Sequence, residues 1–155
     1  MDDLGITNLY IDKLMNNISK SFQGTYSSNN IPSFNNHNFS LIINTSKQSE
    51  IGTHFIALFI FEDKILYFDS FGLKNYNSDI VQYLKKYNKK IIYSTKCIQD
   101  PISDHCGFFC ISFILSIENN MSLVSFLKLF STKALLINDY ICIEIIKYHI
   151  KFLCI

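Results

Sequence analysis

The chain has 155 residues, a formal net charge of +1 and 48% hydrophobic residues. That length suits one domain spanning 1–155 with a substantial core, and the near-neutral charge excludes a dedicated nucleic-acid scavenger, whose domain would be strongly basic. Five cysteines, an odd number, do not form a secreted disulfide framework and point to a reducing compartment. Arginine and tryptophan are absent, while asparagine, isoleucine, lysine, phenylalanine and tyrosine are abundant; all five have A/T-rich codons, so the bias reads as a property of the genome. The start, Met1-Asp2-Asp3-Leu4-Gly5, is acidic and lacks the pattern of a signal peptide. No stretch is apolar for long enough to span a bilayer, and the C-terminal run is broken by Glu144, Lys147, His149 and Lys151, so no membrane association is expected.

In chain order, Leu9, Ile11, Leu14, Met15 and Ile18 give a short amphipathic helix over Thr7 to Ser19, capped by Thr7 or Asn8. Phe22-Gln-Gly-Thr-Tyr26 follows, then a polar loop from Ser27 to Asn38 and a strand from Phe39 to Asn44. His54 to Phe61 is apolar on both faces, which predicts a central strand covered on each side. Glu62-Asp63-Lys64 is the turn and Ile65 to Ser70 the partner strand, ended by Phe71-Gly72. A helix from Ser78 to Asn88, capped by Ser78, buries Ile80, Val81 and Leu84 and ends in solvated lysines; Lys90 to Thr95 is a further strand.

Gln99 to Ser116 is a polar loop tipping into an apolar helix. Pro101 and Ser103 mark the loop, Ser103 or Asp104 can cap the helix, and Ile102, Phe108, Phe109, Phe113, Leu115 and Ile117 cover most of its circumference. Two more helices, Leu123 to Phe130 and Asp139 to Leu153 (capped by Asn138), complete an α+β domain. It is expected to hold a small mixed or antiparallel central sheet flanked by helices, with Cys106 at the N-terminus of the buried central helix.

A cysteine in that first turn meets unpaired backbone N–H groups and the positive end of the helix dipole, a setting that favours an anion. Gly107 leaves room for a substrate backbone beside the sulfur. A thiol nucleophile needs a base, a group to orient the base, and oxyanion donors. His54 opens the central strand. Asp69 closes the facing strand in an apolar run, where a carboxylate needs a partner. Gln99 offers two neutral N–H donors one loop ahead of Cys106. His105 points about 100° away from Cys106 on a helix and reads as a rim residue. Zinc binding by His105, Cys106 and Cys110 lacks a supporting Cys-x-x-Cys pair, so no metal is expected. Cys110, Cys142 and Cys154 read as core thiols, and Cys97 as a strand-end thiol.

The order His54, Asp69, Gln99, Cys106-Gly107 resembles the adenovirus-type cysteine proteases (adenain), relatives of the ubiquitin-like-protein proteases. Similar strings are Phe22-Gln-Gly-Thr-Tyr26, Ile42-Ile-Asn-Thr45, Glu50-Ile-Gly-Thr-His54, Tyr67-Phe-Asp-Ser-Phe-Gly72, and Gln99-x-Pro101 leading to Cys106-Gly-x-Phe-Cys110. The resemblance implies His54 as general base, Asp69 as its orienting carboxylate, Gln99 and the Cys106 backbone N–H as oxyanion donors, and Cys106 as nucleophile. It implies cleavage of viral precursor polypeptides at glycine-containing sites, an activating viral peptide and DNA as cofactors, a monomer, and a location in the virion and the host nucleus or cytoplasm. Phe55 stands where the family usually has tryptophan, and Cys97 lies closer to Gln99 than the family's peptide-linking cysteine. The same residues would serve a protease of ubiquitin or a similar modifier; acyl transfer, or a catalytically inactive binding protein, are the other readings.

Strand register gives an expectation independent of the family. Side chains alternate along a strand, so a hairpin centred between Glu62 and Asp63 sets Asp69 opposite Ile56, on the face of His54 and diagonal to it. A hairpin centred on Asp63 would separate the two.

Overall fold

Two apolar runs, residues 39–44 and 55–60, lie side by side inside one sheet and are buried throughout. The computed structural model describes residues 6–49, 54–74 and 77–153. Residues 50–53 of the adenain-like strings, the acidic start and Cys154 lie outside the described residues. Five strands, β1 (Phe22–Ser27), β2 (Phe39–Asn44), β3 (Phe55–Ile60), β4 (Lys64–Phe68) and β5 (Lys90–Tyr93), pair in the order β1-β2-β3-β4-β5. The outer pairings, β1 with β2 and β4 with β5, are parallel; the inner two are antiparallel. The sheet is thus mixed. All six residues of β2 and all six of β3 are buried.

The helices are α1 (Asn8–Ile18), α2 (Ser78–Lys85), α3 (Cys106–Glu118), α4 (Leu123–Lys128) and α5 (Ile137–Leu153). Alternation divides the core. Phe55, Ala57, Phe59, Leu66 and Phe68 pack with α1, α3, α4 and α5, whereas Ile56, Leu58, Ile60, Ile65 and Tyr67 pack with Ile80, Tyr83 and Leu84 of α2. Ten of the thirteen residues of α3 are buried. A helix apolar all round has to be wrapped by the rest of the fold, and Phe113 anchors it by stacking on Phe68 of β4 at 4.7 Å between ring centroids.

The hairpin has a two-residue loop, Glu62-Asp63, closed by the Phe61 N–H donating to the Lys64 carbonyl at 2.9 Å. Ala57 pairs with Phe68 and Ile60 with Ile65. This is the even register, and the pairing ends at Ala57 and Phe68, one residue short of Asp69.

Several local expectations need correction. Phe22–Ser27 forms an edge strand; its polar, half-exposed residues lack the alternation that marks one. The cap of α2 is Asn77, whose Oδ1 accepts from the Asp79 and Ile80 N–H groups, so Ser78 is already helical. At α3 the cap position is His105 and no side chain caps it; Ser103 Oγ instead accepts from the His105 N–H at 3.2 Å. Ile102 precedes the helix and is 83% exposed. Asn138 lies inside α5, fully buried, with three hydrogen bonds to residues 98 and 131 rather than to the helix end.

Candidate active site

The ends of β3 and β4 bring a base and a carboxylate together. His54 immediately precedes β3, and its carbonyl accepts from the Thr45 N–H at 2.9 Å, which ties it to the end of β2. Asp69 immediately follows β4. The even register leaves the two side chains diagonal, and His54 Nε2 lies 3.0 Å from Asp69 Oδ1.

Asp69 is held from several directions. Its Oδ1 also accepts from the Phe71 N–H at 2.8 Å. Its own N–H donates to Ser94 Oγ at 2.9 Å, while the Ser94 hydroxyl donates to the Asp69 carbonyl at 3.1 Å. The same carbonyl accepts from the Gly72 N–H at 2.8 Å. Gly72 is required there: its φ is +69°, and a Cβ would lie 2.8 Å from the Lys96 carbonyl carbon and 2.9 Å from the Cys97 nitrogen. The Phe71 ring leans on the imidazole at 5.0 Å between centroids.

Burial works against a charge on His54, but the hydrogen bonds and electrostatic influence of Asp69 and Cys106 outweigh it, and the imidazole is raised to about 9. It therefore carries its proton at neutral pH. Nε2 is taken by Asp69, so Nδ1 is the ring nitrogen left for another partner.

Cys106 is the first residue of α3 and half-buried. One reading of the sequence around it needs revision, that of Gly107, while His105 stands where expected. Gly107 faces inward: a Cβ there would meet Ile6 Cγ2 at 2.3 Å, Ile11 Cδ1 at 3.4 Å and Phe55 Cδ2 at 3.5 Å. Its small size serves core packing beneath the nucleophile rather than space for a substrate. His105 lies at the rim, Nδ1 2.8 Å from Asp104 Oδ1 and 3.7 Å from Asp139 Oδ2.

Gln99 is 1% exposed. Its Oε1 accepts from the Ser70 hydroxyl at 2.5 Å, and its Nε2 donates to the Ser103 carbonyl at 2.8 Å. One N–H of the amide remains for another acceptor. The Ile98 and Gln99 N–H groups donate to the Ser70 carbonyl at 2.8 and 3.1 Å.

Four residues that the sequence did not single out hold this arrangement: Ser70, Ser94, Asn138 and Asp139. Asn138 Nδ2 donates to the Ile98 carbonyl at 2.8 Å, and Asp139 Oδ1 accepts from the Ser103 hydroxyl at 2.9 Å. The start of α5 thus braces the segment between Gln99 and Cys106 from the far end of the chain. Of these only Asn138 carried a sequence signal, and that as a helix cap rather than as a brace for this site. Cys110 and Cys142 are buried, and burial raises both thiols, Cys142 to about 12; Cys97 is exposed. Among the described residues, no group of three or more His, Cys, Asp or Glu side chains is gathered to hold a metal ion.

A mixed sheet thus carries a histidine–carboxylate pair at its end, beside a cysteine that opens a buried helix. Two crystal structures of ASFV pS273R protease have this fold, matching the chain at TM-scores of 0.52 and 0.51 with 18% identity each over 72% of its length. The chain spans only 42% and 41% of those proteins. The family model of the adenovirus endoprotease matches residues 22–129. The chain belongs to that family. No curated protein sequence matches it.

Proposed function

We propose that the chain is a cysteine endopeptidase in which Cys106, His54, Asp69 and Gln99 act together. The observation that carries this reading is the His54 imidazole, bonded to Asp69 at 3.0 Å and raised to about 9 beside Cys106. The thiolate is the nucleophilic form of a cysteine, and His54 beside the sulfur can hold and return its proton. The sulfur attacks a peptide carbonyl, and the resulting oxyanion accepts hydrogen bonds from the Gln99 amide and the Cys106 backbone N–H. His54 passes its proton to the departing amine, and the amine product leaves with a thioester formed on Cys106. The neutral imidazole then takes a proton from water, whose oxygen attacks the thioester; breakdown returns the sulfur and releases the acid. Asp69 keeps Nε2 engaged throughout, so Nδ1 serves the chemistry.

Family membership supports viral precursor polypeptides as substrates, and the resemblance of its motifs supports cleavage at glycine-containing sites. Activation by a viral peptide and by DNA, and action in the virion or infected cell, are carried over on the same ground. The test is cleavage of glycine-containing fluorogenic peptides by wild type and Cys106→Ala, with and without added DNA. Wild type is expected to cleave and the variant to fall to background. A Cys106→Ala variant that retains wild-type turnover would overturn the assignment.

A further inference from the structure

We propose that Ser70 is the positioning residue for the oxyanion donor, tethering the Gln99 amide by its oxygen so that the NH2 end stays where Ser103 orients it. The inference rests on the reading above that Gln99 donates to an oxyanion.

A glutamine amide has two nearly isosteric ends, and only the NH2 end can stabilise an oxyanion. A donor that is free to flip or rotate must be reorganised during the reaction, which removes most of its value. The two neighbours of Gln99 remove this freedom. Ser103 offers a carbonyl, which can only accept, and it holds Nε2 at 2.8 Å. Ser70 holds Oε1 at 2.5 Å. The Ser70 hydroxyl is fully buried, and Oε1 is an acceptor, so the hydroxyl spends its one proton there. Reversing the amide would set its oxygen against the Ser103 carbonyl, opposing two acceptors in a dry site, so Ser103 selects the orientation and Ser70 tethers the oxygen end in it.

The position of Ser70 in the chain extends this. Its side chain tethers the amide, and its carbonyl takes the Ile98 and Gln99 N–H groups. Its neighbour Asp69 orients the imidazole. The turn after β4 therefore sets the base and the oxyanion donor at a fixed distance from each other through a single peptide unit. Cys106 does not take part, so the nucleophile should be insensitive to Ser70.

The test uses Ser70→Ala and Ser70→Thr in the full chain. In wild type, the Gln99 side-chain amide protons should give two separate, slowly exchanging NMR signals. In Ser70→Ala they should shift and exchange faster with solvent, and in Ser70→Thr, which restores the hydroxyl, both properties should return. With a fluorogenic Gly-Gly peptide amide, Ser70→Ala should lower kcat about ten-fold, short of the full loss expected for removing a donor, with KM within about two-fold. It should add little to Gln99→Ala, as expected for residues acting as one unit. Alkylation of Cys106 by iodoacetamide, which forms no oxyanion, should keep its wild-type rate. An unchanged Gln99 amide in Ser70→Ala, or rate losses that add fully to those of Gln99→Ala, would overturn the proposal. If Gln99→Ala itself leaves kcat untouched while the amide signals respond to Ser70, the positioning stands and the oxyanion role of Gln99 falls.

Discussion

Replacing Asp69 by asparagine removes one charge and keeps the shape. The asparagine oxygen can still accept from the Phe71 N–H, but the imidazole loses the anion that offsets its burial. Burial, the largest influence on His54, then acts against only the weaker support of Cys106, and the imidazole should titrate near or below the ordinary histidine range. The consequence for stability has a definite sign. In wild type the folded-state value, about 9, lies above the ordinary histidine value of 6.5, so the protonated imidazole stabilises the fold fully below about pH 6.5 and this contribution is lost as pH rises through 9. The difference corresponds to about 3 kcal/mol, a sizeable part of the roughly 5–15 kcal/mol that holds a domain of this kind together. For a chain of this length it should appear as a loss of roughly 6–12 °C in Tm. The assay is urea unfolding of wild type and Asp69→Asn at several pH values from about 6 to about 10. The difference between the two curves cancels the lysines and tyrosines that also titrate there. Wild type should lose up to about 3 kcal/mol more than the variant across that range. Parallel curves would show that Asp69 does not hold the charge on His54, and the proton-donor role of the imidazole would fail with it.

Three further outcomes follow from the packing around the site. Gly72→Ala combines a left-handed backbone with a collision against the 96–97 peptide, and should cost about 3 kcal/mol or more by chemical denaturation; a cost below about 1 kcal/mol would mean the turn adapts freely. Asn138→Ala leaves the buried Ile98 carbonyl and two groups of Ser131 without their partners, and should cost about 2–4 kcal/mol while slowing peptide turnover through the displaced Gln99 segment; normal activity at reduced Tm would confine α5 to a structural role. Gln99→Ala should lower kcat by about 10- to 1,000-fold with KM little changed, and a change confined to KM would make Gln99 a binding residue.

The fold was legible where the signal was local. β2 lies where the pattern set it, β3 and β4 within one or two residues, and α3 starts at Cys106, because apolar runs of those lengths leave few choices. The hairpin parity was legible too, since only an even loop lets His54 meet Asp69. What escaped was set by distant partners. Asn138 reads as a helix cap from its neighbours in sequence, yet its hydrogen bonds run to the Ile98 carbonyl and Ser131. Gly107 reads as an opening for substrate, yet its missing Cβ is filled by Ile6 and Ile11 of the N-terminal segment. Ser70 and Ser94 are polar residues in apolar surroundings, and nothing in the sequence says which of the many serines of this chain finds which partner.

The central claim is that Cys106 is a nucleophile activated by His54, and covalent trapping tests it most directly. The full chain is incubated with a short peptide ending in a Gly-Gly vinyl electrophile, and the labelled cysteine is located by mass spectrometry. Labelling should occur at Cys106, ahead of the exposed Cys97, and should fall sharply in a His54→Ala variant. Labelling that starts at Cys97, or that proceeds at Cys106 regardless of His54, would contradict a catalytic pair and leave a binding protein that keeps the fold of a protease.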